Sequence, residues 1–167
     1  MAPTQAGQCK RELALDTFFI LILTALLSVT ANLVRPTPLP WTENWSHRIE
    51  SQASALGIRI ASAEQAKQLV DEAALYIFDA RSAEHFAEGH LPMALSLPSA
   101  SFDESFAQYA QLMIPEQKAL VYCSGLECDE SLLVCKSMLK MGFTNLVLFT
   151  GGIEKWEEEG YALEASY

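Results

Sequence analysis

The stretch Leu120-Val-Tyr-Cys-Ser-Gly-Leu-Glu-Cys-Asp-Glu-Ser-Leu-Leu133 places a cysteine where an apolar run gives way to a helical pattern. Ala119 to Tyr122 reads as a short buried strand, and Glu130 to Met141 as an amphipathic helix with Leu132, Cys135 and Leu139 at helical spacing. Cys123 therefore stands at the carboxyl end of a strand, where ligands bind in an open α/β sheet. The helix that follows points free N–H groups back into the loop, a setting that favours an anion and lowers the pKa of a thiol.

Working outward, Ser62-Ala-Glu-Gln65 resembles a capping box, and Ala66, Leu69, Val70 and Ala73 then share one face of a helix from Ala63 to Glu72. Leu75 to Phe78 is a continuous apolar run ended by Asp79-Ala-Arg81, the pattern of a central strand. Ser82 caps a short helix to Glu88, Gly89-His-Leu-Pro92 makes a turn, and Ala94 to Leu97 a small strand. Phe102, Phe106, Tyr109, Ala110 and Met113 fall on one face of another helix. Asn145 to Phe149 reads as the last strand, Gly151-Gly152 as a turn, and Ile153 to Glu158 as a helix anchored by Trp156. Strands alternating with helices predict an α/β fold, a mainly parallel central sheet flanked by helices, over residues 58–167.

Composition narrows what such a domain does. With 167 residues and 50% hydrophobic content, the chain supports one compact domain and an appendage. A formal charge of −10 argues against nucleic acid or an anionic membrane surface as the main partner. Cys9, Cys123, Cys128 and Cys135 are too few for a disulfide scaffold, and no Cys-x2-Cys pair suggests zinc, so neither metal nor cofactor is expected.

The appendage is at the amino end. After a tail of residues 1–16, the eighteen residues Thr17 to Val34 carry no charge and read as a single transmembrane helix. A cleaved signal is the alternative reading, with Val29-Thr-Ala31 as its small-residue site and a new amino terminus at Asn32. Lys10 and Arg11 precede the run while Arg35 and Arg48 follow it, a balance tilted only slightly toward an inner amino end and an extracytoplasmic domain. Residues 35–57 form a juxtamembrane linker: Pro36, Pro38 and Pro40 stiffen it, and Trp41 and Trp45 suit either the headgroup level or the domain surface. Cys9, beside the span, is either a spare thiol or a site of lipidation.

Taken in order, Asp79-Ala-Arg81, Phe86-Ala-Glu-Gly-His-Leu-Pro92, Val121-Tyr-Cys123, Met141-Gly-Phe143 and Thr150-Gly-Gly-Ile-Glu-Lys-Trp156 resemble a rhodanese-type domain from about Ile58 to Glu164. The resemblance implies a small α/β fold in which Cys123 accepts sulfane sulfur as a persulfide and passes it to a nucleophile. It also implies that Asp79 and Arg81 are an internal polar pair bracing the loops around the site. His90 in the turn reads as a structural hydrogen-bonder, His47 and His85 as surface residues, and Cys135 as core.

The loop departs from the family's pattern, in which about five residues separate the cysteine from the Ser or Thr opening the helix and glycine comes third. Here Gly125 is second and Ser131 eighth, so the loop of Cys123, Ser124, Gly125, Leu126, Glu127, Cys128, Asp129, Glu130 and Ser131 is enlarged and admits a bulkier ligand. Related phosphatases end a longer loop in an arginine. This one offers Cys128-Asp-Glu130, which holds a dianion poorly and counts against both phosphatase activity and thiosulfate as donor. Glu127, Asp129 and Glu130 also complement the dipole of the helix start, and they pull the Cys123 pKa up while backbone donors pull it down. Met93 stands where glycine is common after the proline, a change read as one of packing.

Three functional classes follow. The first is a membrane-anchored sulfurtransferase with Cys123 as nucleophile, a small sulfur-containing donor, and a thiol or other nucleophile as acceptor. The second is a thiol-redox protein in which Cys128 resolves a persulfide or sulfenate on Cys123 and leaves an internal disulfide. The third is a non-catalytic module docking a membrane-protein partner through the enlarged loop; the intact Cys123 argues against it.

Overall fold

The computed structural model describes residues 5–36, 38–39, 45–73 and 75–165. The readings placed on Pro40 and Trp41 lie outside these residues, as do those on the side chains of Cys9, Lys10, Arg11 and Trp45. Two compact units are present, Met1–Glu43 and Asn44–Tyr167.

The first unit is built on one helix, α1 (Gln5–Val34), whose last 20 residues, Leu15–Val34, have a mean hydropathy of 2.2 with Asp16 as their one charge. At about 1.5 Å per residue such a run covers roughly 30 Å, the thickness of a hydrocarbon core. It is long and apolar enough to cross a membrane, and a signal sequence meets the same description. Its hydroxyls bond back to the helix, Ser28 Oγ to Thr24 O at 2.9 Å and Thr30 Oγ1 to Leu26 O at 2.9 Å, so they present no unpaired donor. The Asn32 amide brackets Leu39 with two hydrogen bonds and turns the chain after the helix.

The second unit is an α/β sandwich. Its elements in chain order are α2 (Trp45–Ala55), β1 (Arg59–Ile60), α3 (Ala63–Glu72), β2 (Tyr76–Asp79), α4 (Ala83–Glu88), β3 (Leu95–Ser96), α5 (Phe102–Tyr109), β4 (Ala119–Tyr122), α6 (Glu130–Lys140), β5 (Leu146–Phe149) and α7 (Gly152–Glu158). All five strands are parallel, in the order β1-β5-β4-β2-β3. Each helix returns the chain across a face of the sheet, so two cores form. One gathers Phe78, Val121, Leu148, Phe102, Phe106, Val134, Cys135 and Met138. The other gathers Ile77, Leu120, Val147, Ala66, Val70, Ile153 and Trp156.

Local signals position these elements as expected. Gln65 N–H donates to Ser62 Oγ at 3.3 Å while the Gln65 side chain accepts from Ser62 N–H at 3.0 Å, so the capping box starts α3 where it was read. Three readings change. The helix expected to reach Met113 stops at Tyr109 and tightens into a 3-10 turn, because Tyr76 Oη donates to Leu112 O at 3.2 Å and accepts from Ile114 N–H at 3.1 Å, pinning the chain outward. Met93 is not a packing change. It is exposed and has φ 62, so the position calls for the left-handed backbone that glycine adopts freely and a side chain tolerates at a cost of about 1 kcal/mol.

The third change concerns the linker. Residues 45–55 form α2, which belongs to the compact unit and buries Ile49 and Ala53 in the core beneath β1. Lys136 Nζ on α6 donates to Gln52 Oε1 at 2.8 Å and fastens it. A fragment of residues 44–167 is therefore expected to unfold in urea at a higher midpoint than one of residues 58–167, with a stability difference of about 2–4 kcal/mol from the lost burial and the opened core. Equal midpoints would show that α2 contributes nothing to the domain.

Candidate active site

β4 lies at the centre of the sheet, between β5 and β2. Strand alternation sends Ala119, Val121 and Cys123 toward α6 and Leu120 and Tyr122 toward the opposite face. The Cys123 thiol is thereby aimed under the amino end of α6.

The loop after it is held from α7. Ile153 N–H donates to Cys123 O and Glu154 N–H to Ser124 O, both at 3.0 Å. This approach explains the glycine pair read only as a turn: Gly152 has φ 59, and a Cβ there would collide with Cys123 O and the Ser124 backbone. Cys128 N–H donates to Gly125 O at 3.1 Å and folds the loop back, so that position 128 faces position 123. Leu126 and Glu127 form the exposed tip, Asp129 is exposed, and the buried Ser131 reaches the sulfur.

The Cys123 sulfur is fully enclosed. Ser131 Oγ lies 3.2 Å away, Cys128 O at 3.3 Å and Gly125 O at 3.9 Å, the two carbonyls accepting the S–H of the neutral form. The thiol pKa is held below its ordinary value. Hydrogen bonding with the Cys128 thiol contributes most, and the Ser131 hydroxyl and the backbone of Ser131 and Gly125 add to it against the opposing effect of burial. Cys128 moves the other way, pushed up by that same contact and by burial, and its S–H donates to Glu130 Oε2 at 3.3 Å. The two thiols are thus shifted in opposite directions, Cys123 toward its charged form and Cys128 toward its neutral one. Cys135 is pushed up chiefly by burial and packs in the core, as read.

Below the loop, the buried Asp79 carboxylate takes Arg81 Nη2 at 2.6 Å and Arg81 Nε at 3.0 Å. Burial disfavours the Arg81 charge, and the hydrogen bond and charge of Asp79 outweigh it. Arg81 Nη2 also donates to Gly89 O at 2.7 Å, and Tyr122 Oη accepts from Leu91 N–H at 3.0 Å, so the pair ties β2 and β4 to the turn at Gly89–Pro92. His90 is buried and stacked on Phe86 with ring centroids 4.0 Å apart, a structural placement. His47 and His85 are exposed.

Outside the loop opens a cleft of about 870 Å³ that reaches Cys128 but not Cys123. Glu50, Glu127, Glu154 and Glu158 line it. Among its described lining residues Lys155 is the one cation, and its ammonium is engaged by Glu158 at 3.0 Å and Glu159 at 3.2 Å. Glu50 comes from α2 and accepts from Thr150 Oγ1 at 3.5 Å. Sequence reasoning missed it because nothing local links residue 50 to residue 150. Glu154 was legible only within the Gly-Gly-Ile-Glu motif; its carboxylate fills the space a side chain at Gly125 would take. Among the described residues, no three His, Cys, Asp or Glu side chains are grouped to hold a metal ion.

A family model described as Rhodanese-like domain matches residues 62–159. A tRNA uridine(34) hydroxylase from Yersinia enterocolitica is 28% identical over 109 residues, covering 61% of this chain and 30% of that protein, so the chain spans less than a third of that relative's length. A solved structure of thiosulfate sulfurtransferase from Pseudomonas aeruginosa matches with a TM-score of 0.58 at 23% identity, covering 74% of this chain and 23% of that one. A protein of unknown function from Rhodopseudomonas palustris, titled a possible tyrosine phosphatase, matches with a TM-score of 0.58 at 21% identity, covering 75% and 99%. At these identities the two structures carry the fold alone.

Proposed function

Because this chain belongs to the rhodanese-like domain family, we propose that it is a membrane-anchored sulfurtransferase carrying sulfane sulfur as a persulfide on Cys123. The observation that carries this reading is the Cys123 thiol at the end of the central strand, its pKa lowered by Cys128, Ser131 and the loop backbone. The Cys123 thiolate attacks the terminal sulfur of a donor R–S–SH; the new S–S bond forms as the donor's S–S bond breaks, and the donor thiolate leaves. An acceptor thiolate then attacks the sulfane sulfur and returns Cys123 to its starting state. Neither step needs a metal or an outside oxidant. With the sulfur enclosed, both require the loop to open.

The wall of carboxylates around the cleft supports an uncharged or singly charged donor, a hydropersulfide or polysulfide, over the thiosulfate dianion. It disfavours aryl phosphates for the same reason, and a tRNA substrate too, whose backbone a chain of net charge −10 repels. The apolar stretch Leu15–Val34 supports anchoring, and the slight excess of positive charge at its amino end favours an extracytoplasmic domain.

Intact-mass analysis tests the reading. Full-length protein exposed briefly to inorganic polysulfide is expected to gain one sulfur atom mapped to Cys123, faster than from equimolar thiosulfate, and to show no aryl phosphate hydrolysis. Failure to gain sulfur from any donor would overturn the function, and brisk phosphate hydrolysis would overturn the electrostatic reading of the cleft. Recovery of the intact chain in the membrane fraction supports the anchor. A soluble chain beginning at Asn32 refutes it.

A further inference from the structure

We propose that Cys128, assisted by Glu130, resolves the Cys123 persulfide and releases its sulfur as hydrogen sulfide, so that the site reduces sulfane sulfur as well as carrying it. This rests on the reading of Cys123 as sulfur acceptor. The Cys123 sulfur has no exposed surface, and the loop residues Gly125, Cys128 and Ser131 close over it. With the loop closed, an outside thiol cannot reach a sulfur bound there. Cys128, folded back by the turn at Gly125, lies directly against it, with its carbonyl oxygen 3.3 Å from the Cys123 sulfur. Cys135 shares that side of the sheet but is locked in the core.

The step balances within the protein. Cys128 Sγ attacks the Cys123 sulfur of Cys123–S–SH, the Cys123–Cys128 disulfide forms, and the bond to the sulfane sulfur breaks with both electrons going to the leaving hydrosulfide. The sulfane sulfur is reduced, the two cysteine sulfurs are together oxidised by the same two electrons, and no outside oxidant enters. The Cys128 proton passes along its existing hydrogen bond to the Glu130 carboxylate, 3.3 Å away, and then to the departing hydrosulfide. Reopening the disulfide consumes a dithiol reductant. The two sulfurs are unequal in a way that favours this order: Cys128 borders the cleft and is open to attack, while Cys123, with its lower pKa, is the better leaving thiolate.

The test compares full-length wild type, Cys128→Ser, Glu130→Gln and Cys123→Ser in detergent, each given one equivalent of inorganic tetrasulfide, quenched in acid at intervals, and followed by intact mass, peptide mapping and sulfide release. Wild type is expected to pass through a short-lived sulfur adduct on Cys123 to a Cys123–Cys128 disulfide with one sulfide freed per chain. In Cys128→Ser the adduct on Cys123 is expected to persist about tenfold longer or more, with no disulfide. Glu130→Gln keeps both cysteines and is expected to reach the same disulfide several-fold more slowly. Cys123→Ser is expected to give neither adduct nor disulfide. A wild-type adduct as long-lived as that of Cys128→Ser, or one that migrates to Cys128, would overturn the resolving role while leaving the sulfurtransferase reading in place. An absence of any Cys123 adduct in Cys128→Ser would overturn both.

Discussion

Cys123→Ser is expected to abolish sulfur transfer from every donor, to the limit of detection, while leaving the fold intact. No other thiol can take over. Cys135 is buried and its pKa is pushed up, and Cys128 keeps its proton because its contact with Cys123 and its burial both push its pKa up, so neither offers a thiolate at neutral pH. Serine preserves the hydrogen bonds to Ser131 and to the Cys128 carbonyl, so the loop keeps its shape. The charged form of Cys123 is favoured by its donors, so its alkylation in the wild type is expected to stay fast as pH is lowered through the ordinary thiol range near 8.5, slowing only below it. The sign follows from the direction of the shift: a depressed pKa means the reactive thiolate survives to lower pH. An alkylation profile for Cys123 with its midpoint at or above that of a free thiol would mean that burial outweighs the donors and that the closed loop protects a neutral thiol. Residual transfer in Cys123→Ser would move the chemistry to another residue.

Asp79→Ala is expected to cost about 3–5 kcal/mol of domain stability, because it strands the buried Arg81 guanidinium without its counter-ion. Each kcal/mol moves the midpoint of a domain this size by about 3–5 °C, so thermal unfolding followed by circular dichroism has ample range. The loss should spread to the site, since Arg81 also holds the Gly89 carbonyl and Tyr122 holds the neighbouring turn. The double variant Asp79→Leu/Arg81→Met removes both charges at similar volume and is expected to recover more than half of the loss. A single variant destabilised by less than about 1 kcal/mol would show that water or another group already neutralises Arg81. The position would then be one of packing alone.

Much of this domain is readable from local chemistry. The Ser62–Gln65 box, the Ser82 cap and the apolar runs ending at Asp79 and Tyr122 each lie within a few residues, and each element begins where its cap or run places it. The exceptions have distant causes. Tyr76 ends the helix after Phe102 from more than thirty residues away, and Met93 adopts its left-handed backbone inside a turn tied at Met93 N–H to Glu164 Oε2 at 3.0 Å. The linker helix was invisible as part of the domain, because Ile49 and Ala53 are two apolar residues in a polar stretch and gain meaning only when the core gives them a place.

By itself the sequence determined the parallel α/β architecture, the nucleophile's seat at a strand-to-helix junction, the apolar amino-terminal helix and the missing loop arginine, all properties of neighbouring residues and their period. Tertiary structure alone decided that the Cys123 sulfur is sealed, that Cys128 faces it with its proton directed at Glu130, and that Glu50 and Glu154 complete the acidic wall of the cleft. Those outcomes depend on how the chain closes a loop and packs distant helices against it. Burial and through-space hydrogen bonding, rather than residue order, shift the two thiols in opposite directions.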